Sequence, residues 1–143
     1  MIQRIQSLWL LLSSLVVIAL SRLPVYIGKL GDGSQKVLMT AERLHMMIVA
    51  LLLIILPILI IFLFKNRKGQ KQLIWVHVLL NLLLLLFFYM AKGAFVDGQM
   101  PKFISSNYGI AVIVPVLSII FDVMAYNGIR ADEKLIKAAD KFR

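Results

Sequence analysis

The 143-residue sequence predicts an all-α integral membrane protein with four transmembrane helices, and three observations support this. Four apolar runs, 8–27, 44–64, 73–91 and 110–129, are each about twenty residues long, and at roughly 1.5 Å per residue each matches a hydrocarbon core of about 30 Å. Hydrophobic residues make up 61% of the chain and mean hydropathy is +0.90, against roughly 45–50% apolar residues in soluble domains. Finally, ten of the sixteen Lys and Arg fall in segments that an even number of crossings places on one side. Connections of about eight to twenty residues leave no room for a second globular unit, so 1–143 reads as one four-helix transmembrane domain with a tail at 130–143.

The crowded side holds Arg4, then Lys65, Arg67, Lys68 and Lys71, then Arg130, Lys134, Lys137, Lys141 and Arg143. Arg22, Lys29, Lys36, Arg43, Lys92 and Lys102 are spread over the two outer segments. The positive-inside rule therefore places both termini in the cytoplasm, and topology accounts for the net charge of +9 without nucleic acid. Absence of cysteine excludes disulfides, thiolate metal sites and a thiol nucleophile.

The first run follows Arg4 and has Ala19 and Ser21 near its end, a loose likeness to a secretory signal, but the expectation is an uncleaved span. Ser7, Ser14 and Ser21 recur every seven residues, and this small stripe is expected to face the bundle. The first outer loop sets strand-forming segments on either side of Gly31-Asp-Gly-Ser, which predicts a short β-hairpin over about 24–40. That turn lacks the Gly-Lys-Ser/Thr ending of a phosphate loop.

Thr40 is the expected cap of the second helix, with Glu42 in its first turn. Pro57 inside this helix removes an amide and leaves the Leu53 carbonyl without its normal partner. The basic turn 65–72 predicts antiparallel second and third helices and, lacking interleaved aromatics, reads as an anchor against anionic headgroups. In the second outer segment Asp97-Gly98 signals a turn, and Pro101 argues against a regular strand. Beyond Gly128, residues 130–142 set Leu135, Ile136, Ala139 and Phe142 opposite Arg130, Lys134, Lys137 and Lys141, the pattern of a C-terminal amphipathic helix on the inner membrane surface. A partner-binding helix has the same pattern. Lys65, Arg67, Lys68, Lys71, Arg130, Lys134, Lys137, Lys141 and Arg143 are thus the expected contacts to the membrane surface or a partner.

Asp122 is the one acidic residue inside an apolar run, and a carboxylate at the centre of a span costs about 2.5–3.5 kcal/mol unless it faces the interior or takes up a proton. Asp122, Asn81, Ser14 and Pro57 each lie roughly seven to nine residues from the cytoplasmic boundary, about 12 Å deep. His77 and Asn81 are four apart on the third helix, and Pro115, Ser118 and Asp122 follow one seam on the fourth. The expectation is a buried hydrogen-bonded cluster of Asp122, Asn81, His77 and Ser14, serving either as interhelical glue or as a proton- or ion-responsive site. His45 lies about a membrane thickness from His77, so the two share no metal. Trp9, Trp75 and Tyr126 sit where interfacial anchors belong. No serine elbow, zincin pattern or converging carboxylates support an enzyme, and no cofactor is expected.

The opening Met1-Ile-Gln-Arg-Ile-Gln with its apolar run, and the closing Arg130-Ala-Asp-Glu-Lys-Leu-Ile-Lys-Ala-Ala-Asp-Lys-Phe-Arg, resemble the Bacteroidota membrane-protein family catalogued as domain of unknown function 4293. The resemblance implies a bacterial inner-membrane protein with cytoplasmic ends, and carries no activity, ligand or catalytic residue. Two functions fit: an accessory subunit or assembly factor packed against another membrane protein, or a small proton- or ion-linked transporter, as a single chain or a homo-oligomer, built on the layer around Asp122. Weak evidence of internal repeats counts against the second.

Overall fold

The computed structural model describes residues 2–64, 66–97 and 104–141, with the side chains of 2–4, 94–97 and 139–141 left aside. Four helices run α1 (Ile2–Ile18), α2 (Leu44–Phe62), α3 (Arg67–Asp97) and α4 (Ile113–Lys141). Each packs on two others, α1 and α3 both lying against α2 and α4, so the bundle is four-sided. The helices α2, α3 and α4 are long and apolar enough to cross a membrane, and α1 is a shorter apolar helix extended by a 3-10 turn at Ala19–Ser21.

One end of the bundle is closed by a small antiparallel sheet. Strand β1 (Pro24–Lys29) lies between β2 (Gln35–Met39) and β3 (Ser105–Tyr108). The expected hairpin is the β1–β2 pair, turned by Leu30 N–H donating to Ser34 O at 2.9 Å, with Gly33 at φ +84° and the Asp32 carboxylate accepting from the Ser34 amide and hydroxyl. These two bonds hold the Asp32 carboxyl below its ordinary range. Strand β3 comes from the second outer connection, where Pro101 argued against a strand; Pro101 itself lies outside the described residues. Gly109 lets β3 leave the sheet: its amide donates to Val25 O at 2.8 Å, and a Cβ there would collide with the Pro24 carbonyl oxygen. Space, not backbone conformation, demands the glycine, since φ is −79°.

Several expectations are corrected. The run at 8–27 is not one helix: α1 ends at Ile18 and residues from Pro24 belong to β1, because proline and β-branched residues pair with β2. Helix α3 is longer than 73–91 at both ends, and Arg67, Lys68 and Lys71 lie on its first turns, reducing the α2–α3 turn to a few residues. Asn66 caps this start, its side-chain oxygen accepting from the Gly69 amide at 2.9 Å. Thr40 does not cap α2. It opens a 3-10 turn, its buried hydroxyl has no partner among the described residues, and α2 begins after Arg43 without a side-chain cap.

The tail is also corrected. Residues 130–141 continue α4 without a break and form no separate interfacial helix. Gly128 does not interrupt the helix; a Cβ there would lie 2.8 Å from Gln6 Cγ, so it serves the close approach of α1 to α4. The face turned to the bundle is acidic: Asp132 accepts from Gln6 Nε2 at 2.7 Å and lies 4.0 Å from Arg67, and Glu133 pairs with Lys71 at 2.7 Å. Leu135 and Ile136 remain exposed. Lys65, Phe142 and Arg143 lie outside the described residues, as does the side chain of Lys141.

Candidate functional site

The helix ends fix a depth at which the four helices bring polar groups together. Toward the sheet, Val17, Leu20, Met46, Leu53, Leu84, Phe88 and Val114 form one apolar cluster. Toward the termini, Leu10, Ile60, Ile74, Ala125 and Ile129 form another. Between them Ser13, His77, Asn81, Ser118 and Asp122 are buried, each spaced by three or four residues from one of the apolar ones.

Within this layer His77 Nδ1 is 2.7 Å from Asp122 Oδ2, both side chains wholly buried. On the other ring nitrogen, His77 Nε2 donates to the Leu53 carbonyl at 3.0 Å. This is the carbonyl that Pro57, four residues on, leaves without a helical amide. Ser13 donates to Asp122 Oδ1 at 3.4 Å, and Ser13 and Ser118 hydroxyls are 2.8 Å apart. With Ser13 donating to the carboxylate, Ser118 donates to Ser13. One chain of hydrogen bonds therefore runs from α4 to α1, back to α4, across to α3 and into the backbone of α2.

The chain fixes a proton count. A carbonyl offers only lone pairs, so Nε2 of His77 carries a hydrogen. A neutral imidazole then has Nδ1 bare, and its contact with Asp122 closes only if one proton lies between them, on the acid or on the ring. Either way the pair is neutral overall, which is how two titratable groups tolerate an apolar interior.

Of the residues named from sequence, Asp122 and His77 meet directly. Asn81 is adjacent, its amide nitrogen donating to His77 O at 3.1 Å and lying 3.4 Å from His77 Nδ1, while its Oδ1 is buried without a partner among the described residues. Ser14 does not join; its hydroxyl turns back to the Leu10 carbonyl at 3.2 Å, and its neighbour Ser13 makes the contact instead. The seven-residue serine stripe dissolves accordingly, Ser21 being exposed and bonded to Ile18 O. The spacing of Leu10, Ser13, Val17 and Leu20, all buried, is the signal that picks out Ser13. His45 stacks edge-on against Phe87 with ring centroids 4.9 Å apart, well away from His77. Among the described residues, no three His, Cys, Asp or Glu are grouped to hold a metal ion.

The basic residues named as surface contacts divide into two sets. Arg67 and Lys71 are engaged by Asp132 and Glu133, and the Lys71 ammonium holds the Glu133 carboxyl below its ordinary range. Lys68, Arg130 and Lys134 are exposed, with Arg130 over the Tyr126 ring at 6.0 Å.

No curated protein and no solved structure matches the chain. The model of the family described as Domain of unknown function (DUF4293) matches residues 2–142, and on that match over essentially the whole sequence the chain belongs to this family.

Proposed function

We propose that this chain is a four-span protein of a bacterial inner membrane, with both termini and the α2–α3 turn on the cytoplasmic side, acting as a non-catalytic accessory subunit or assembly factor of a larger membrane complex. Three helices of spanning length, the apolar residues exposed around them and the excess of Lys and Arg at the end bearing the termini support the membrane reading. The observation that carries the accessory role is the closure of the His77–Asp122 pair. Both oxygens of Asp122 and both ring nitrogens of His77 are answered by other helices, so the bonding capacity of this pair is used in holding the bundle in one arrangement. What stays open to a partner is the outer surface, including Lys68, Lys134 and Lys137 at the cytoplasmic end.

The test is purification of the tagged full chain in mild detergent. A membrane protein recovered in fixed stoichiometry, and lost on charge reversal at Lys68 and Lys134 while the bundle still melts as the parent does, supports the role. Repeated recovery of the chain alone overturns it.

The second reading, a small proton- or ion-linked transporter, is favoured by the single proton shared by His77 and Asp122. It requires flux in proteoliposomes that Asp122→Asn abolishes, and an Asn variant that transports as well as the parent removes it.

A further inference from the structure

Between α3 and α4, on the outward side of the bundle, lies an apolar groove of about 280 Å³. Ile74 and Val78 form one wall, Ile119 and Val123 the other, with Asp122, its side chain buried, also in the lining and Trp75 and Tyr126 toward its cytoplasmic end. From Ile119 to Tyr126 it extends seven residues along α4, about 10 Å, which carries it from the interface most of the way to the midplane of a bilayer. Trp75 and Tyr126 meet edge-on, 6.0 Å between centroids. Rings with a polar tip sit preferentially at the headgroup level.

The walls continue into positive charge. Arg130 is one turn beyond Tyr126 and lies over its ring, Lys134 is one turn further, and Lys68 is two turns from Trp75 on the facing helix. The nearby acids are already engaged, Asp122 in the lining by His77 and Ser13, Asp132 by Gln6 and Arg67, and Glu133 by Lys71, so the mouth is left cationic.

We propose that this groove seats one acyl chain of an anionic phospholipid whose phosphate is held by Arg130 and Lys134. The inference rests on the membrane reading above. An apolar trough open to the outside with a cationic mouth is complementary to a lipid of that charge, and basic pockets between spanning helices on the cytoplasmic side are recognised headgroup sites.

Trp75 is a built-in reporter, since Trp9 is the other tryptophan and is stacked on Phe121. The full chain carrying Trp9→Phe is reconstituted in phosphatidylcholine vesicles, and Trp75 fluorescence is titrated with phosphatidylglycerol or phosphatidylcholine brominated on the acyl chains. Stronger quenching by the anionic bromolipid is expected, with about a fivefold higher apparent affinity for each basic residue engaged. Arg130→Gln should reduce the preference about fivefold, and Val123→Phe, which fills the groove without touching charge, should abolish it. Equal quenching by both headgroups overturns the site while leaving the membrane reading standing. A preference that survives Val123→Phe also overturns it, because the attraction is then diffuse. A companion chain with Trp9→Phe, Trp75→Phe and Leu51→Trp reports from the exposed face of α2. Quenching there but not at Trp75 assigns the groove to a second copy of the chain, and quenching at neither position overturns the membrane reading itself.

Discussion

Asp122→Leu and Asp122→Asn should separate sharply, because they differ in the one thing the His77 contact requires. Leu reproduces the forked shape of the side chain but neither donates nor accepts. It leaves His77 Nδ1 as a buried acceptor whose 2.7 Å partner is gone, and removes the weaker 3.4 Å contact from Ser13, which keeps its bond to Ser118. A buried group stripped of its partner costs about 1–3 kcal/mol, whereas hydrogen bonds between helices in lipid average about 0.6 and reach about 1.7 kcal/mol. A loss of about 2 kcal/mol is therefore expected. Asn supplies an N–H to Nδ1 and an oxygen to Ser13 while His77 still donates to Leu53 O, so every bond of the chain survives and the loss should stay under about 0.5 kcal/mol. Reversible unfolding in detergent, followed by tryptophan fluorescence, measures both. Combining Asp122→Leu with His77→Leu should recover about 1 kcal/mol relative to the sum of the single changes, as contacting residues do. If Asn proves as damaging as Leu, the contact is not satisfied by one shared hydrogen and the proton count is wrong.

Adjacent serines give a second comparison. Ser13→Ala should cost up to about 1.7 kcal/mol through its bonds to Ser118 and Asp122, and Ser14→Ala, which loses only a bond to its own helix, should stay within about 0.5 kcal/mol in the same assay. Two glycines give a third. Gly109→Ala meets backbone at Pro24 and should exceed the roughly 1–3 kcal/mol usual for overpacking, while Gly128→Ala meets only the flexible Gln6 and should cost about 1 kcal/mol or less, as read by thermal melts. Acid should loosen the α3–α4 contact at the cytoplasmic end. Glu133 titrates below its ordinary value of 4.5 because Lys71 favours its charged form, so this contribution is fully present above 4.5 and is lost as pH falls through the lower folded value. Distances between spin labels at 68 and 137 should stay narrow at pH 5 and above and broaden only in stronger acid, and broadening already at pH 6 would count against the ion pair.

How much of this was legible in the sequence depends on the range over which each signal acts. The helices announce themselves through apolar runs, and a depth count places Asp122, Asn81 and Pro57 in one layer, because helical rise is a local property. The freed Leu53 carbonyl also follows from Pro57 alone. Its capture by His77 does not, since that depends on how α3 is rotated against α2. The same rotation decides between Ser13 and Ser14, which are one residue and about 100° apart; the conspicuous heptad of serines pointed to the wrong one, while the apolar seam at 10, 17 and 20 held the correct phase. Strand β3, Ser105–Tyr108, has no alternation of its own and becomes a strand by pairing with β1, some eighty residues away. That the tail continues α4 is not legible in its amphipathic pattern, which a separate helix would share. Asp132 and Glu133 carry the signal, an acidic pair facing the basic start of α3.

The arrangement of the polar layer also bears on what a proton does there. In a relay, each group must be able to pass a hydrogen onward, so the chain needs an open acceptor beyond its last donor. Here the last donor, His77 Nε2, ends on a backbone carbonyl that cannot take up the proton, and the first, Ser118, lies inside the bundle. A proton entering between His77 and Asp122 has no exit through the bonds that hold it. On the Nε2 side it can leave only if the ring turns away from Leu53, which undoes the link between α3 and α2; on the other side stands the apolar α3–α4 groove, which Asp122 lines. On the Nε2 side, release of the proton and release of the packing are thus one event, which supports the proposed accessory role over transport. The consequence can be measured: protection of the His77 ring N–H hydrogen from solvent exchange should track the global stability of the bundle across variants, and a ring N–H that exchanges freely in a fully folded protein would restore the relay.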